Sequence, residues 1–367
     1  MRNITLANTT IYLCFTTISY VRESTSQFYT LNLILSCIMN GILSVLGTIM
    51  NGLVLIAFYK SNILRNKTPF FLIMLLSLND LLVVVIVHPL FLFNSIRQLL
   101  GNGDCISKAV YLTIAKLLTG YSGLTLHVMN IERYFSIVHP FWYQRRGNRK
   151  VVLGLPVVFW VLWTPVCCLS FINGDIERSV LSACSAIVCF TTIFVYGRIF
   201  HIARKKRRSI ATPSVIELTT RDNSRLDIEK TPQRIQRPNK FGEALKDIKL
   251  AKMFIILVAC SQVCYLPNVV YHIYLRMQNS EIKTESSLIM GNWVVTFISM
   301  NSTLNSLVFF WKNSQLRHEM LAIIKSRWQT RSVLCLFYVD VLSCTWMIRT
   351  VVTQYLSDLS SSIKNKI

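Results

Sequence analysis

The sequence predicts an all-α membrane protein, a bundle of seven transmembrane helices with the N-terminus outside and a short amphipathic helix after the seventh span. Its 367 residues are 52% hydrophobic and only 15% charged. The apolar residues lie in runs of about 20 or more, the length that crosses a hydrocarbon core of about 30 Å. A large soluble helical core would need polar faces at a 3.6-residue period, and most of these runs lack them. The seven runs are residues 31–59, 69–93, 106–138, 151–171, 180–202, 250–275 and 288–311.

The distribution of positive charge sets the orientation of the bundle. The formal net charge is +22, and the Lys and Arg residues gather in alternate connections, at 60–67, 145–150 and 204–209. Short basic loops stay in the cytoplasm, so the N-terminus is expected outside and the C-terminus inside. The basic excess then reflects topology and attraction to anionic lipid head groups rather than nucleic-acid binding. Glycosylation acceptor sequences at Asn3 and Asn8 agree with an exterior N-terminus.

The connection between the fifth and sixth segments differs in composition from the bundle. Residues 204–246 are polar, charged and contain proline, which predicts a disordered cytoplasmic loop. Ser209, Thr212 and Thr231 lie there in contexts typical of kinase sites, which suggests regulation by phosphorylation. On this division, residues 1–30 are an extracellular N-terminus and 31–311 form the transmembrane domain.

The chain after the seventh segment divides into two parts. Residues 312–325 place their apolar side chains on one face, which predicts a short amphipathic helix on the membrane surface. Residues 326–367 are a cytoplasmic tail for which the sequence predicts no defined structure. Its apolar stretch 332–347 is short and contains Asp340, so an interfacial segment is favoured over an eighth span.

Short motifs occur in a fixed order along the segments, and their order carries more information than any one of them. Over about residues 30–325 they give the chain a resemblance to the rhodopsin-like (class A) G-protein-coupled receptors. The motifs are Asn51 in segment one, LSLND ending at Asp80 in segment two, Glu132-Arg133-Tyr134 ending segment three, Trp160 in segment four, Tyr196 in segment five, CYLP at 264–267 and NSLVF at 305–309.

The resemblance implies a switch at the inner end of the third segment. Arg133, between Glu132 and Tyr134, is expected to face a G-protein α-subunit on activation. Asp247, in the inner part of segment six, is the expected resting partner of Arg133. The alternative is an Arg at a membrane edge that pairs only with its neighbour Glu132 and reaches toward water.

The sixth and seventh segments depart from the family pattern. Pro267 kinks segment six because it removes a backbone hydrogen bond, which gives the inner end a large displacement. Tyr265 stands where the family usually has Trp. Ser306 replaces the segment-seven Pro, and Phe309 replaces the Tyr that would pair with Tyr196 through water. That water-bridged contact therefore cannot form through a phenol hydroxyl at position 309.

Asp80 is an ionisable group inside a span, and such a group needs polar company. The resemblance implies that Ser122, Asn301 and Asn305 supply it, in a pocket that holds Na⁺ as an allosteric ion. The alternative is a hydrogen-bonded knot without an ion. No other metal and no cofactor is predicted.

The eleven cysteines do not form a disulfide framework, and only Cys14, Cys105 and residues 167–168 lie near the oxidising side. The family's usual disulfide from Cys105 has no partner in the connection 171–180, which is short and lacks Cys. Val188 occupies the place of the segment-five Pro. Together these features resemble the melanocortin, cannabinoid, lysophospholipid and adenosine branch.

The resemblance places a ligand between the outer halves of segments two, three, six and seven. Ala115 stands where amine receptors carry Asp, so monoamines are not expected. Lys116 lies about 25 Å from Arg133 along the helix, and an intramembrane Lys is a functional-site candidate that would bind a carboxylate or phosphate. Its alternative role is to reach outer water or lipid phosphate. The other wall candidates are Thr119, Asn268, Tyr271, His272, Asn292 and Trp293.

These features predict a plasma-membrane receptor, not an enzyme, that binds an extracellular small-molecule, lipid or peptide ligand and activates a heterotrimeric G protein. An anionic lipid, a peptide or a nucleoside is the favoured ligand class. Membrane lipids, kinases and arrestin are further expected partners, and nucleic acid is not. The alternatives are a seven-helix receptor-like protein with constitutive or no coupling, and a transporter, for which internal repeats would be expected.

Overall fold

The computed structural model describes residues 26–65, 68–146, 149–169, 176–202 except 178, 182, 185 and 200, 240–277 and 285–327; the side chains of 240–252 are among those it does not describe. Every predicted segment coincides with a helix over its described residues. Short helices at Asn62–Arg65 and Pro140–Arg146 lie in two inner connections. The main helices are α1 (Gln27–Lys60), α2 (Pro69–Leu99), α3 (Cys105–Val138), α4 (Arg149–Cys168), α5 (Ser179–Ile199), α6 (Lys240–Met277), α7 (Glu285–Lys312) and α8 (Ser314–Arg327).

Among the described residues, α1, α2, α5, α6 and α7 are long and apolar enough to cross a membrane. The apolar part of α4 is shorter, and α3 has 34 residues but carries Lys116 and many hydroxyl side chains. Large apolar side chains cover the outward faces: Phe190 on α5 is 74% exposed and Val263 on α6 is 68% exposed. Such surfaces suit contact with lipid rather than water.

A π-helical turn at Val83–Val87 interrupts α2. Pro89 follows it, and a proline in a helix removes a donor and crowds the preceding turn, which a widened turn relieves. The carbonyl oxygen of Val84 accepts a hydrogen bond from Ser44 Oγ of α1, at 2.8 Å. The irregular turn is therefore fixed by a neighbouring helix.

The first, second and seventh helices meet closely at Gly47. A Cβ at this position would lie 2.5 Å from Val84 Cγ1 and 2.6 Å from Thr303 Oγ1. One turn later, Asn51 donates from Nδ2 to the carbonyl oxygens of Gly47, at 3.0 Å, and Ser302, at 3.2 Å. The absence of a side chain at Gly47 thus lets α1 bond the backbone of α7.

Tryptophans fix α4 against α3. A Cβ at Gly120 would collide with the indole of Trp163, so the ring occupies the space that the glycine leaves. Trp160 donates from Nε1 to Thr125 Oγ1 at 3.3 Å, and Asn79 of α2 donates to the same hydroxyl at 3.0 Å. Thr125 therefore joins α2, α3 and α4.

The sixth helix begins at Lys240, ten residues before the predicted start of its segment. Its first turns contain Lys, Glu, Ala and Leu, which favour helix, so the helix continues past the membrane edge into part of the predicted loop. The predictions for Asn3, Asn8, the loop up to residue 239 and residues 328–367 lie outside the described residues.

The predicted helix after the seventh span is present as α8. Asn313 caps it, because its Oδ1 accepts from the backbone N–H of Leu316 at 3.1 Å. Leu316 and Met320 are buried in the same hydrophobic cluster as Phe254 and Phe309. The apolar face of α8 thus packs against the end of the bundle that holds Arg133.

Candidate functional site

Arg133 is a buried charge at the end of α3. It is 5% exposed, as is Glu132, and its Nε lies 2.8 Å from Glu132 Oε2. Its guanidinium carbon lies 5.1 Å from the centre of the Phe254 ring on α6, within range of a cation–π contact. Nη2 has no hydrogen-bond partner among the described residues. Asp247 lies in α6, but its side chain is not described, so its pairing with Arg133 stays a prediction.

The inner connection after α3 contacts this ion pair through Tyr143, which the sequence did not single out. Its hydroxyl donates to Glu132 Oε1 at 2.5 Å. Burial raises the pKa of the Tyr143 hydroxyl, and the negative charge of Glu132 raises it further. Tyr143 therefore stays protonated at physiological pH and remains a donor.

The aromatic residue of the triplet faces α5 rather than the ion pair. The Tyr134 ring lies 6.1 Å from that of Phe194 and 5.5 Å from that of Phe135. Tyr134 also packs against the buried Val195 and Ile199. It therefore links the inner ends of α3 and α5.

Tyr196 finds its hydrogen-bond partner on α3. Its hydroxyl donates to Asn130 Oδ1 at 2.7 Å. Asn130 is 3% exposed and lies three residues before Arg133. Phe309, in contrast, is fully buried in the hydrophobic cluster that contains Met129. Tyr196 thus bonds Asn130 where the family pattern would pair it with a Tyr at position 309. Asn130 is a polar residue on a buried helix face, and the sequence analysis missed it.

Asp80 lies at the centre of a buried polar cluster. It is fully buried, and its two carboxylate oxygens accept from Ser122 Oγ at 2.5 Å and from Asn305 Nδ2 at 3.0 Å. Asn301 is also buried, but among the described residues it forms no hydrogen bond with Asp80. The structure thus joins three of the four predicted residues.

Helix α7, which supplies Asn305 to this cluster, carries further buried oxygen atoms. Oδ1 of Asn301, Oδ1 of Asn305 and Oγ of Ser299 are buried and have no hydrogen-bond partner among the described residues. Oxygen ligands are those that hard cations prefer. Among the described residues, no group of three or more His, Cys, Asp and Glu side chains could hold a metal ion.

Lys116 forms an ion pair between α3 and the connection before α5. Its Nζ contacts Oε1 of Glu177, whose side chain is 9% exposed against 29% for that of Lys116. Its charge is therefore compensated within the protein, a third arrangement beside the two that the sequence analysis weighed. Glu177 was missed, although an acidic residue in so short a connection was a usable signal.

The other predicted ligand-contact residues of α3, Ala115 and Thr119, are more buried than Lys116. Ala115 is 5% exposed and packs in a cluster with Phe91 of α2. The carbonyl oxygen of Thr119 accepts from the hydroxyl of Tyr265 at 3.2 Å. That hydroxyl lies 3.1 Å from where a Cβ would stand on Gly123. The Tyr at this position of α6 thus reaches the backbone of α3 where a small residue makes room.

The predicted wall residues of α6 and α7 point in different directions. Tyr271 of α6 reaches α7, since its hydroxyl lies 3.2 Å from a Cβ position on Gly291. Trp293 instead donates to Asn32 Oδ1 of α1 at 3.2 Å. Asn268 and His272 of α6 are half-buried, as is Tyr271.

A cleft opens where the outer ends of α2, α3 and α7 meet. The Tyr111 side chain lines it, 5% exposed, and its hydroxyl has no hydrogen-bond partner among the described residues. Of the predicted ligand contacts, Asn292 alone lines this cleft. Its other lining residues are Phe91, Asn94, Ser95, Gln98, Gly101, Gly103, Asp104 and Lys108.

Cys105 begins α3 and takes part in a disulfide bond. Cys168, which lies near the connection before α5, is an exposed free cysteine. Residues 170–175 of that connection lie outside the described residues, so the expectation that it offers Cys105 no partner stays a prediction.

Comparison with known proteins identifies a family over most of this bundle. Residues 50–309 match the family described as 7 transmembrane receptor (rhodopsin family). The D(3) dopamine receptor of Mus musculus is 30% identical over 192 residues, 47% of this chain and 41% of the relative. The D(1C) dopamine receptor of Xenopus laevis is 26% identical over 305 residues, 73% of this chain and 63% of the relative.

A third relative carries a peptide receptor's name. The Tachykinin-like peptides receptor 86C of Drosophila melanogaster is 26% identical over 294 residues, 75% of this chain and 55% of the relative. The chain spans less than two thirds of the length of each of these three relatives.

Proposed function

Because the chain belongs to the rhodopsin family of seven-transmembrane receptors, we propose that it binds an extracellular ligand and activates heterotrimeric G proteins at its inner face. The observation that supports this most directly is the environment of Arg133. A buried charge is costly unless it is paired or used. Among the described side chains, Arg133 contacts the carboxylate of Glu132 and the face of Phe254. Moving α6 outward would remove Phe254 and free the guanidinium for a partner.

The route from ligand to inner face runs through α6. Pro267 lies inside this helix and removes one backbone hydrogen bond. Two residues before it, Tyr265 bonds the Thr119 carbonyl of α3. A ligand that alters this contact changes the angle between α3 and α6 near the kink. A small displacement there becomes a larger one at Phe254, and the resting population shifts toward the open state.

We also propose that the cluster around Asp80 binds Na⁺ in the resting state. Asp80 supplies the negative charge, and Ser122 and Asn305 orient its carboxylate. Oδ1 of Asn301 and Oγ of Ser299, which have no hydrogen-bond partner among the described residues, would add neutral ligands. A bound cation would neutralise a fully buried carboxylate, which is otherwise unfavourable inside a membrane.

Two neighbouring residues of α3, Ala115 and Lys116, bear on the ligand class. The matching relatives are named as dopamine receptors and as a peptide receptor, so they do not assign the chain to one branch of the family. Ala115 in place of Asp argues against amines, whereas Lys116 supports a ligand with a carboxylate or phosphate. Because Lys116 is paired with Glu177, such a ligand must replace that carboxylate as the counter-ion. The proposed melanocortin, cannabinoid, lysophospholipid and adenosine branch rests on Val188 and the short connection before α5.

The proposed function is tested by nucleotide exchange on a panel of Gα subunits, in membranes from cells that express the chain at its surface. We expect Asp247→Ala to raise ligand-free exchange with at least one Gα class, because it releases Arg133 from α6. Adding Arg133→Ala to that variant should return exchange to the level of receptor-free membranes at equal surface expression.

Two other outcomes are informative. Wild-type exchange that depends on Arg133 but is unchanged by Asp247→Ala would reject the resting pair and leave the coupling intact. If neither protein raises exchange with any Gα class, and a panel of amines, peptides, nucleosides and anionic lipids does not change this, the coupling is wrong. The chain is then a receptor-like protein without G-protein coupling.

A further inference from the structure

Two positive charges lie at the junction between α7 and α8. Lys312 is the last residue of α7, and its Nζ lies 3.6 Å from the centre of the Trp311 ring. Arg317, in the first turn of α8, donates from Nη1 to the carbonyl oxygen of Trp311 at 3.1 Å. One tryptophan therefore holds a cation from each of the two helices.

The described part of the chain does not compensate these charges. Among the described residues, neither Lys312 nor Arg317 forms an ion pair. Glu319, which is the acidic residue of α8, follows Arg317 by two residues, and side chains at that spacing do not face each other on a helix. The junction is therefore free to attract an anion from outside the protein.

The surface beside these cations is apolar and faces outward. Trp311 is 64% exposed, and Leu307, one turn earlier on the same face of α7, is 37% exposed. On α8, Leu321 lies one turn after Arg317 and is 40% exposed. In a bilayer, apolar side chains face the hydrocarbon, tryptophan prefers the interface, and cations lie at the head groups. The strip from Leu307 through Trp311 to Lys312 follows this order.

The junction lies at the inner side of the bundle. The apolar face of α8 packs in the cluster that contains Phe254, and Phe254 contacts Arg133. The inner leaflet of the plasma membrane carries the anionic phospholipids. A soluble anion would meet the cations alone, whereas a phospholipid would also cover the exposed Leu307 and Trp311 side chains. The combination of charge and apolar surface therefore favours a lipid.

We propose that an anionic phospholipid of the inner leaflet binds at the junction of α7 and α8. Its phosphate contacts Lys312 and Arg317, and its acyl chains lie along Leu307 and Trp311. The lipid joins the two helices from outside, at the point where Arg317 bonds the end of α7. This site does not rest on the proposed receptor activity, and its detection needs neither a ligand nor a G protein.

The test is the quenching of Trp311 fluorescence by lipids brominated on their acyl chains. The full-length protein is reconstituted in phosphatidylcholine nanodiscs that contain the same small fraction of brominated phosphatidylserine or of brominated phosphatidylcholine. The emission of Trp311 is the difference between each protein and its Trp311→Phe counterpart, normalised to nanodiscs without bromine. We expect brominated phosphatidylserine to quench this emission more strongly. Equal quenching by the two lipids would overturn the proposal.

Charge variants locate the site. Lys312→Gln and Arg317→Gln should each lower the preference for phosphatidylserine about fivefold, which is the contribution of one cation beside an anionic surface. Arg317→Lys should keep most of the preference because it keeps the charge, whereas a purely structural role of the hydrogen bond to Trp311 would be lost in both Arg317 variants.

Arg145→Gln is the matched control. Arg145 is an exposed cation of the inner connection between α3 and α4, and its replacement should leave the lipid preference at Trp311 unchanged. A loss equal to that of Lys312→Gln would show a general attraction of the inner face for anionic lipid and would reject a defined site.

A competition experiment separates a lipid from a soluble anion. Inorganic phosphate, added at constant ionic strength, should not relieve the quenching by brominated phosphatidylserine, because it has no acyl chains to cover Leu307 and Trp311. Relief of the quenching would assign the junction to a soluble anion, in contradiction to the proposal.

Discussion

The hydrogen bond between Tyr196 and Asn130 predicts a defined change in ligand-free signalling. Its length is 2.7 Å and Asn130 is 3% exposed, so little water competes for it. A neutral hydrogen bond of this kind contributes about 0.5–1.5 kcal/mol. If the bond forms only in the resting state, Asn130→Ala should raise the ratio of open to resting receptor about 2- to 12-fold, since 1.4 kcal/mol is a factor of ten.

The assay is ligand-free nucleotide exchange at equal surface expression, for Asn130→Ala, Tyr196→Phe and the double variant. Because both single variants remove one bond, they should couple by about 0.5–1.5 kcal/mol in the double-mutant cycle. Asn79→Ala is the matched control, since Asn79 is a similarly buried Asn that bonds Thr125 instead. It should combine additively with Tyr196→Phe. Additive behaviour of Asn130→Ala and Tyr196→Phe would refute the argument that this bond belongs to the resting state.

Three further predictions concern the packing, the ion and the ligand. Gly47→Ala should lower the unfolding free energy by about 1–3 kcal/mol through overpacking. Gly52→Ala is the control, because a Cβ at Gly52 meets nothing within 4 Å, and it should be neutral or stabilising. Equal melting temperatures of the two solubilised variants would contradict this prediction. Replacing N-methylglucamine by Na⁺ should raise the melting temperature of the wild type but not of Asp80→Asn, and a Na⁺ effect that survives in the variant argues against the ion site. Glu177→Gln should lower the half-maximal concentration of an anionic lipid agonist, because it frees Lys116. Lys116→Arg should keep part of the response, and Lys116→Ala should abolish it. Equal potency of the agonist at all three variants would reject an anionic ligand group.

The sequence was sufficient for the fold because a membrane span needs a long apolar run, and such runs are visible without any knowledge of contacts. It was also sufficient for groups that a span tolerates only with partners, such as Asp80 with Ser122 and Asn305. The start of α6 at Lys240 was less predictable, because the helix continues through a polar composition that also suits a loop.

Contacts between connections and helices could not be predicted in the same way. Tyr143 bonds Glu132 from a short helix, and Glu177 pairs with Lys116 from a connection of a few residues. Both depend on where the backbone turns after leaving a helix. The hydrophobic pattern of the sequence does not predict that direction. Asn130 was missed for a different reason, since it follows apolar residues and only the position of Tyr196 on α5 gives it a role.

These contacts place α3 at the centre of the proposed switch. Its residues bond α2 through Asp80, α5 through Tyr196 and α6 through the hydroxyl of Tyr265. In the family pattern part of this coupling would run through a phenol at position 309, and Phe309 instead supplies only packing. A movement of α3 along its axis would disturb these bonds together, because all of them end on one rigid helix. It follows that changes on α3, such as Asn130→Ala, should alter ligand-free signalling more than an apolar replacement on α7, such as Phe309→Leu. The reverse order in the exchange assay would show that the main coupling runs through α7 instead.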